Sequence, residues 1–284
     1  MKSWIVRPTD PKTVGEIVVR AREELSAIDE GRVFIGKKRV KSAKEPVKPG
    51  DEVRIGKRDA ANATADVPIL VSKGDLVAVA KPAGIPTVPD HHGSSHSLVA
   101  VVARMLKKKP DDLRITSRLD REVSGVVIFA LSDAAEAKLK DARARGEYAR
   151  RYIAIASGEP GSEDEGTWTS PIDEKESSTR WRRVARAGAT SLLAVDPITG
   201  RTHQIRIHAS RAGMPLLGDP EYGGPRQLTL ANGRIVALSR IALHAARVSV
   251  PNAGIVAEAP IPDELARVWN DLGGAADAWV NART

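Results

Sequence analysis

The chain of 284 residues contains no cysteine. That excludes disulfides, cysteine nucleophiles and cysteine-ligated zinc or iron–sulfur centres. No apolar run approaches the roughly 20 residues needed to span a bilayer. Met1 to Pro8 holds no apolar segment long enough for a secretory leader, so the expectation is a cytoplasmic protein without a membrane partner. There is no internal repeat and no glycine-rich phosphate-binding loop, so no nucleotide cofactor is expected. Any metal would fall to the six histidines and the carboxylates. His91, His92 and His96 sit in a Gly/Ser stretch with Asp90 as the nearby acid and no helical spacing, a poor ligand set for a metal-dependent hydrolase. The expectation is no metal and no cofactor.

What the chain does have is basic charge. Lys and Arg number 44 against 36 Asp and Glu, a formal net charge of +8. Such a surface attracts polyanions. The hydrophobic fraction of 42% and charged fraction of 28% are those of an ordinary globular protein. The length suits one large domain with a small appendage.

The appendage is expected over residues 1–58. Apolar Val14, Ile17, Val18, Ala21 and Leu25 recur at helical spacing. Arg32-Val33-Phe34-Ile35 reads as a strand, Gly36-Lys37-Lys38 and Pro49-Gly50-Asp51 as turns, and Glu52–Ile55 as a last strand. Between Arg32 and Lys44 there are six basic residues and no acid: Arg32, Lys37, Lys38, Arg39, Lys41 and Lys44. The pattern GRVFIGKKRVKSAKEPVKPGDEVRI resembles an S4-type RNA-binding domain. Residues 59–68 are polar and alanine-rich and read as a linker.

Residues 69–284 read as an α+β domain. Strands fit 69–71, 76–80, 126–131, 152–156, 191–195, 203–208 and 246–250, and helices fit 98–107, 134–145, 209–213 and 263–272. The irregular interleaving points to a mixed, mostly antiparallel central sheet with flanking helices. Glu159–Glu176, with seven acids against one lysine, reads as a solvated loop.

Four stretches can carry chemistry. Lys81-Pro82-Ala83-Gly84 is a sharp turn after a buried strand. Ser117-Arg118-Leu119-Asp120-Arg121-Glu122-Val123-Ser124-Gly125 places an acid between two arginines ahead of an apolar strand, and nearby positive charge favours the carboxylate form. Thr199–His208 (TGRTHQIRIH), taken as a strand, turns Thr202, Gln204, Arg206 and His208 to one side and Arg201 and His203 to the other. Pro215–Gly223 (PLLGDPEYG) and Leu243-His244-Ala245 read as turn and packing elements, Asp219 between Gly and Pro being a common turn residue.

RLDREVSG, GRTHQIRIH, PLLGDPEYG and LHA, with KPAG upstream and RRYIAIASG between, resemble in this order the RluA-like pseudouridine synthases, over about residues 69–262. The resemblance implies a cofactor-independent isomerase that converts a specific uridine in structured RNA, rRNA or tRNA, to pseudouridine. It implies Asp120 as the catalytic carboxylate, Tyr152 as the aromatic residue on the uracil and Arg206 as the partner of the aspartate. It also implies that Arg118 helps to hold the base out of its helix. Arg201, His203, Gln204, Arg182 and Arg183 are expected to contact RNA, as are the basic residues of the S4-like unit. The family usually has His where Ser117 stands and Thr where Val123 stands. Breaking C1′–N1, turning the uracil and joining C5 to C1′ transfers nothing in and oxidises nothing. A carboxylate can serve as nucleophile or as base. A monomer is expected. The rival is a catalytically inactive RNA-binding protein.

Overall fold

A computed structural model describes residues 2–21, 23, 25–29, 32–36, 38–56, 67–89, 96–158 and 163–283. Most of the expected linker lies outside them, as do Lys37, Asp90, His91 and His92. The chain divides into two compact units, Met1–Asp66 with Ile85–Pro110, and Val67–Gly84 with Asp111–Thr284.

The first unit contains β1 (Lys2–Ile5), α1 (Val14–Arg20), α2 (Ser26–Asp29), β2 (Val33–Ile35), β3 (Lys38–Arg39) and β4 (Glu52–Ile55), its strands ordered β1-β4-β2-β3 and antiparallel. Glu16 starts α1 by accepting from the Thr13 hydroxyl at 2.6 Å and its backbone N–H at 3.3 Å, a capping box. Val14, Ile17 and Val18 then pack on Val33, Val53 and Ile55. The helix ends at Arg20 rather than Leu25, because Leu25 is exposed and adds nothing to that face.

Strands β5 (Ile69–Lys73) and β6 (Leu76–Lys81) belong to the second unit, and helix α3 (Leu98–Met105), opened by the Ser97 hydroxyl accepting from Ala100 N–H at 3.3 Å, to the first. The second unit continues with β7 (Arg114–Ile115), β8 (Ser124–Ala130), α4 (Asp133–Ala144), β9 (Ala149–Ser157), β10 (Glu165–Trp168), β11 (Thr179–Ala187) and β12 (Thr190–Pro197). After them come α5 (Gln204–Arg211), β13 (Gln227–Thr229), β14 (Ile235–Ala237), β15 (Leu243–Val250), β16 (Ile255–Glu258), α6 (Asp263–Asp271) and α7 (Ala278–Arg283). Its main sheet has the order β10-β11-β12-β9-β15-β8-β6-β5, with β7 on β8 and β16 on β15. The β15–β8 pair is parallel and the other pairs are antiparallel. The fold is therefore the mixed, mostly antiparallel α+β class expected.

Strand β8, SGVVIFA, is buried at every position, which is why it reads as an unbroken apolar run. One core cluster joins Val126 and Ile128 to Leu139 of α4. A second joins Ile153, Ile155 and Leu192 to Trp269 and Trp279 of the C-terminal helices. Gly125, at φ +125°, lets β15 approach: a Cβ there would lie 2.3 Å from the Ala245 carbonyl oxygen. Gly125→Ala is therefore expected to destabilise by about 3 kcal/mol or more, read as a drop in the denaturant midpoint. An unchanged midpoint would show that β8 and β15 can separate freely.

Two local expectations fail. Residues 203–208 are not a strand: α5 runs from Gln204 to Arg211. Its buried residues are Gln204, Ile205, Arg206, His208 and Ala209, so 204/208 and 205/209 share a face at i,i+4. Three of these five are polar, and a pattern search based on apolarity reads the alternation of Ile205 and Ile207 instead. The acidic stretch 159–176 also contains β10, held by pairing with β11 despite its charge.

Candidate active site

A single lateral row crosses the middle of the large sheet. Lys81 pairs with Gly125, Gly125 with Ala245, Ala245 with Tyr152 and Tyr152 with Val195. Asp120 lies five residues before Gly125, in the loop that enters β8. The loop is anchored from inside. Lys81 Nζ donates to the carbonyls of Pro82 (2.9 Å), Arg121 (3.1 Å) and Val123 (2.7 Å). Burial pushes Lys81 down to about 7, and Arg240 adds to this while Asp120 opposes it. Three carbonyl acceptors nevertheless match the three donors of an ammonium, whereas a neutral amine would turn its lone pair on one of them. The contacts favour the charged form. Val123 N–H donates to the Asp120 carbonyl at 3.1 Å, and Gly84 N–H to that of Arg121 at 2.8 Å.

The Asp120 carboxylate is 31% exposed and meets two side chains from the start of α5. Arg206 Nη1 donates to Oδ2 at 3.1 Å, and His203 Nε2 stands 3.7 Å from Oδ1. His203 precedes the helix in a left-handed conformation, φ 52°, uncommon outside glycine and concentrated at functional sites. Its Nδ1 is 2.9 Å from the Tyr222 hydroxyl and 3.6 Å from Glu221 Oε1.

Arg206 is buried and its fork is nearly filled. Nε donates to Asp219 Oδ2 at 2.6 Å and Nη2 to Asp219 Oδ1 at 2.8 Å, while Nη2 also reaches Glu221 Oε2 at 2.7 Å. The guanidinium lies over the Tyr222 ring, 4.7 Å from its centroid. Burial alone would lower the Arg206 pKa, but its hydrogen bonds to Asp219 and Glu221 hold it above the ordinary arginine value. The same bond to Arg206 holds Glu221 below the usual carboxylate range. The loop carrying these acids folds tightly: a Cβ on Gly218 would lie 1.9 Å from the Arg240 carbonyl oxygen, and one on Gly224 1.7 Å from that of Leu216.

Tyr152 on β9 is almost wholly buried. Burial raises its hydroxyl above the ordinary tyrosine value, Arg150 opposes this, and Asp120 adds to the rise. The Leu243-His244-Ala245 stretch is packing. Ser124 Oγ is 2.7 Å from His244 Nδ1 and accepts from Arg240 Nη2 at 2.8 Å, locking β8 to β15. Burial takes His244 down to about 3, so it is neutral.

Asp120, Arg206 and His203 thus come together, with Tyr152 within electrostatic reach of Asp120. Arg118 is exposed, and Arg201 is exposed with its guanidinium on the Glu176 carbonyl. Other residues expected to contact RNA have partners within the fold. Gln204 is buried: it accepts from the Thr199 hydroxyl and Arg201 N–H, and donates to the Ser178 carbonyl and Thr179 hydroxyl, fixing α5 to β11. Arg183 is buried against Asp164 at 2.6 Å, and Arg182 donates to the Asn281 carbonyl at 3.1 Å. Trp181 stacks on Trp168 inside the fold, centroids 5.4 Å apart. Arg32 is buried and donates to the Gly56 carbonyl at 2.9 Å. Lys38 and Lys41 are exposed and Arg39 half-buried.

Asp219, Glu221, Tyr222 and Lys81 lie in stretches read as able to carry chemistry, but none of the four was expected as a site residue. Their one signal is that PLLGDPEYG packs two acids and an aromatic into a glycine-bounded turn, and a turn needs no such combination.

Among the described residues there is no cluster of three or more His, Asp or Glu fit to hold a metal, and no helix is long and apolar enough to cross a membrane.

The RNA pseudouridylate synthase family model matches residues 75–211, and the S4 domain model residues 26–53. The chain is 33% identical over 247 residues to the Bacillus subtilis protein called uncharacterized RNA pseudouridine synthase YhcT, covering 77% of this chain and 78% of that one. It is 30% identical over 283 residues to ribosomal large subunit pseudouridine synthase C of Escherichia coli, 86% of each chain being covered. The solved human RNA pseudouridylate synthase domain containing 4 shares the fold, with TM-score 0.60 at 21% identity, over 75% of this chain and 95% of that one. A carboxylate at the entrance of a buried strand, gripped by a buried arginine, stands within the matched span. The chain belongs to the RNA pseudouridine synthase family and is an isomerase with an N-terminal S4 domain.

Proposed function

We propose that the chain isomerises a specific uridine of large-subunit ribosomal RNA, with Asp120 as the reacting carboxylate, Arg206 as its partner and Tyr152 as the aromatic surface under the base. The observation that carries this is the Arg206–Asp120 contact of 3.1 Å on a carboxylate that keeps a solvent-facing side. Arg206 orients the acid, and the open side leaves room for an extruded nucleotide. Extrusion costs a few kcal/mol, which aromatic stacking of about 1–3 kcal/mol offsets in part. Relatives named for the large ribosomal subunit favour that RNA over transfer RNA. Pseudouridine mapping with and without the gene tests the substrate: loss of a site in large-subunit rRNA is expected, and loss confined to tRNA would redirect the assignment. Intact Asp120, Arg206 and Tyr152 argue against the inactive RNA-binding alternative. A cytoplasmic monomer that needs no nucleotide cofactor completes the proposal.

The S4 domain, residues 1–58, is proposed to hold flanking RNA through Lys38, Arg39 and Lys41, joined to the catalytic domain, residues 69–284, through residues 59–68. Replacing Lys38 and Lys41 by Gln should flatten the log–log salt dependence of RNA binding by about 0.7–0.9 for each phosphate no longer neutralised. The effect should fall on KM more than kcat. An unchanged slope would remove these residues from the RNA surface.

A further inference from the structure

Two arginines beside Tyr152 have no carboxylate. Alternate residues of a strand share a face, so Arg150 lies on the Tyr152 side of β9, about 7 Å further along it. Tyr148 stands two residues before Arg150, at the entry to the strand. Arg143, in the last turn of α4, lays its guanidinium over the Tyr148 ring, 4.7 Å from the centroid. The charges of Arg150, Tyr148, Asp120 and Arg143 all reach Tyr152, so these side chains form one neighbourhood with the reacting carboxylate.

Their neighbours in the chain behave differently. Arg145 pairs with Asp141 at 2.7 Å and Glu147 at 3.3 Å. Arg151, on the other face of β9, donates to both oxygens of Asp196, at 2.6 and 2.9 Å. Arg143 and Arg150 have no ion pair among the described residues. Arg150 gives Nη2 to the carbonyls of Pro197 (3.1 Å) and Thr199 (2.7 Å), and its buried Nε has no partner. Tyr148 is 7% exposed, and its buried hydroxyl has no partner at hydrogen-bonding geometry. Arg143 attracts that oxygen without meeting the geometry. Buried polar groups are normally satisfied, and like charges side by side disfavour each other. Packing of its guanidinium lowers the Arg143 pKa although the residue as a whole is exposed; Tyr148 opposes this and the Arg150 charge adds to it.

We propose that Arg143, Arg150 and the Tyr148 hydroxyl form a phosphate subsite that holds the RNA backbone next to the extruded uridine. This rests on the reading of the Asp120–Tyr152 cleft as the place where the uridine reacts. A base laid on Tyr152 brings the backbone of its own nucleotide, or of the next, to the Arg150 end of the strand. One phosphate there meets both cations and accepts the hydroxyl proton, answering the repulsion and the orphaned donor together. Guanidinium groups suit phosphate because they offer parallel N–H donors. Gly200 leaves the side of Arg150 Nη1 open, where a Cβ would lie 3.6 Å away. Anchoring the backbone at this point opposes the return of the uridine to its stack, which extrusion has to overcome.

The experiment is the salt dependence of binding to an unmodified large-subunit rRNA transcript, measured on the full chain carrying Asp120→Asn so that the RNA is not converted. Adding Arg143→Gln should lower the log–log slope by about 0.7–0.9, the share of one phosphate, and affinity at fixed salt by about tenfold. Arg143→Lys should keep the slope, because a point charge still releases the counterion. Tyr148→Phe should keep the slope and lose about threefold in affinity, since it removes a neutral donor. Arg150→Gln should match Arg143→Gln; where it does not fold, Arg143→Gln, at an exposed position, decides. A folded Arg143→Gln with the parent slope, or Tyr148→Phe with the parent affinity, overturns the subsite. So does inorganic phosphate if, at matched ionic strength, it erases the difference between Arg143→Gln and its parent, for the site then takes the free ion and not the backbone. Asp120→Asn separates the two levels: if it still releases tritium from C5-labelled uridine RNA the reading of the cleft fails, and if it is inactive with all slopes unmoved only the phosphate subsite fails.

Discussion

Asp120→Asn is expected to abolish tritium release from C5-labelled uridine RNA while changing RNA affinity and thermal stability little. The replacement is isosteric but neutral, so it can neither attack nor accept a proton. The loss should be at least the 10²–10⁴-fold usual for a positioned acid or base, and more if a covalent intermediate is lost as well. Stability should hold because Asp120 is 31% exposed, and because Arg206 keeps both its bonds to Asp219 and its contact with Glu221. No buried charge is orphaned. Affinity should hold because RNA is attracted by a surface of net positive charge, to which one carboxylate contributes little. Near wild-type turnover in a folded Asp120→Asn would end the assignment.

Arg206→Met should have the opposite profile, losing stability and activity together. It leaves the Asp219 carboxylate, 1% exposed, without its counter-charge, and breaking a buried pair from one side costs about 3–5 kcal/mol. The pair is also a specific case to dissect. Arg206→Met combined with Asp219→Leu removes both charges, and apolar replacement of a buried ion pair is commonly neutral or stabilising. The double variant should therefore recover much of the lost melting temperature while remaining inactive, since Asp120 still lacks its partner. Arg206→Met with wild-type stability would show that water reaches Asp219 and that the pair is not a buried one.

Much of the fold was legible before any coordinate. The apolar run of β8 and the turn chemistry of Gly84 are local properties, and the mixed sheet follows from irregular interleaving of strands and helices. The basic run from Arg32 to Lys44 and the RLD-to-SG stretch likewise show themselves in the order of residues. Charge and motif order, through the resemblance they carry, were enough to name the reaction, and Asp120 and Arg206 are the site residues which that resemblance implies.

What escaped were groups whose meaning depends on contacts distant in the chain. The Arg206–Asp120 contact, 86 residues apart in the chain, is the exception: the resemblance implied it, although no local period reports it. Only the end of α5 was expected, within 209–213; its first part was read as strand because Gln204, Arg206 and His208 are polar side chains buried where β11 and the Asp219 loop supply their hydrogen bonds. Burial of such residues is a property of the partner, not of the segment. Arg32 and Arg183 mislead for the same reason: as sequence they are basic surface, yet a carbonyl and an aspartate within the fold engage them. Lys81, in a turn that seemed ordinary, clamps the Asp120 loop through carbonyls 40 and 42 residues away. Composition and motif thus settle which reaction this chain belongs to, because reactive groups are few and their neighbours in the chain are distinctive. Which side chains orient and tune them is settled by packing, because hydrogen bonds and charges act through space and the chain brings their partners in from elsewhere.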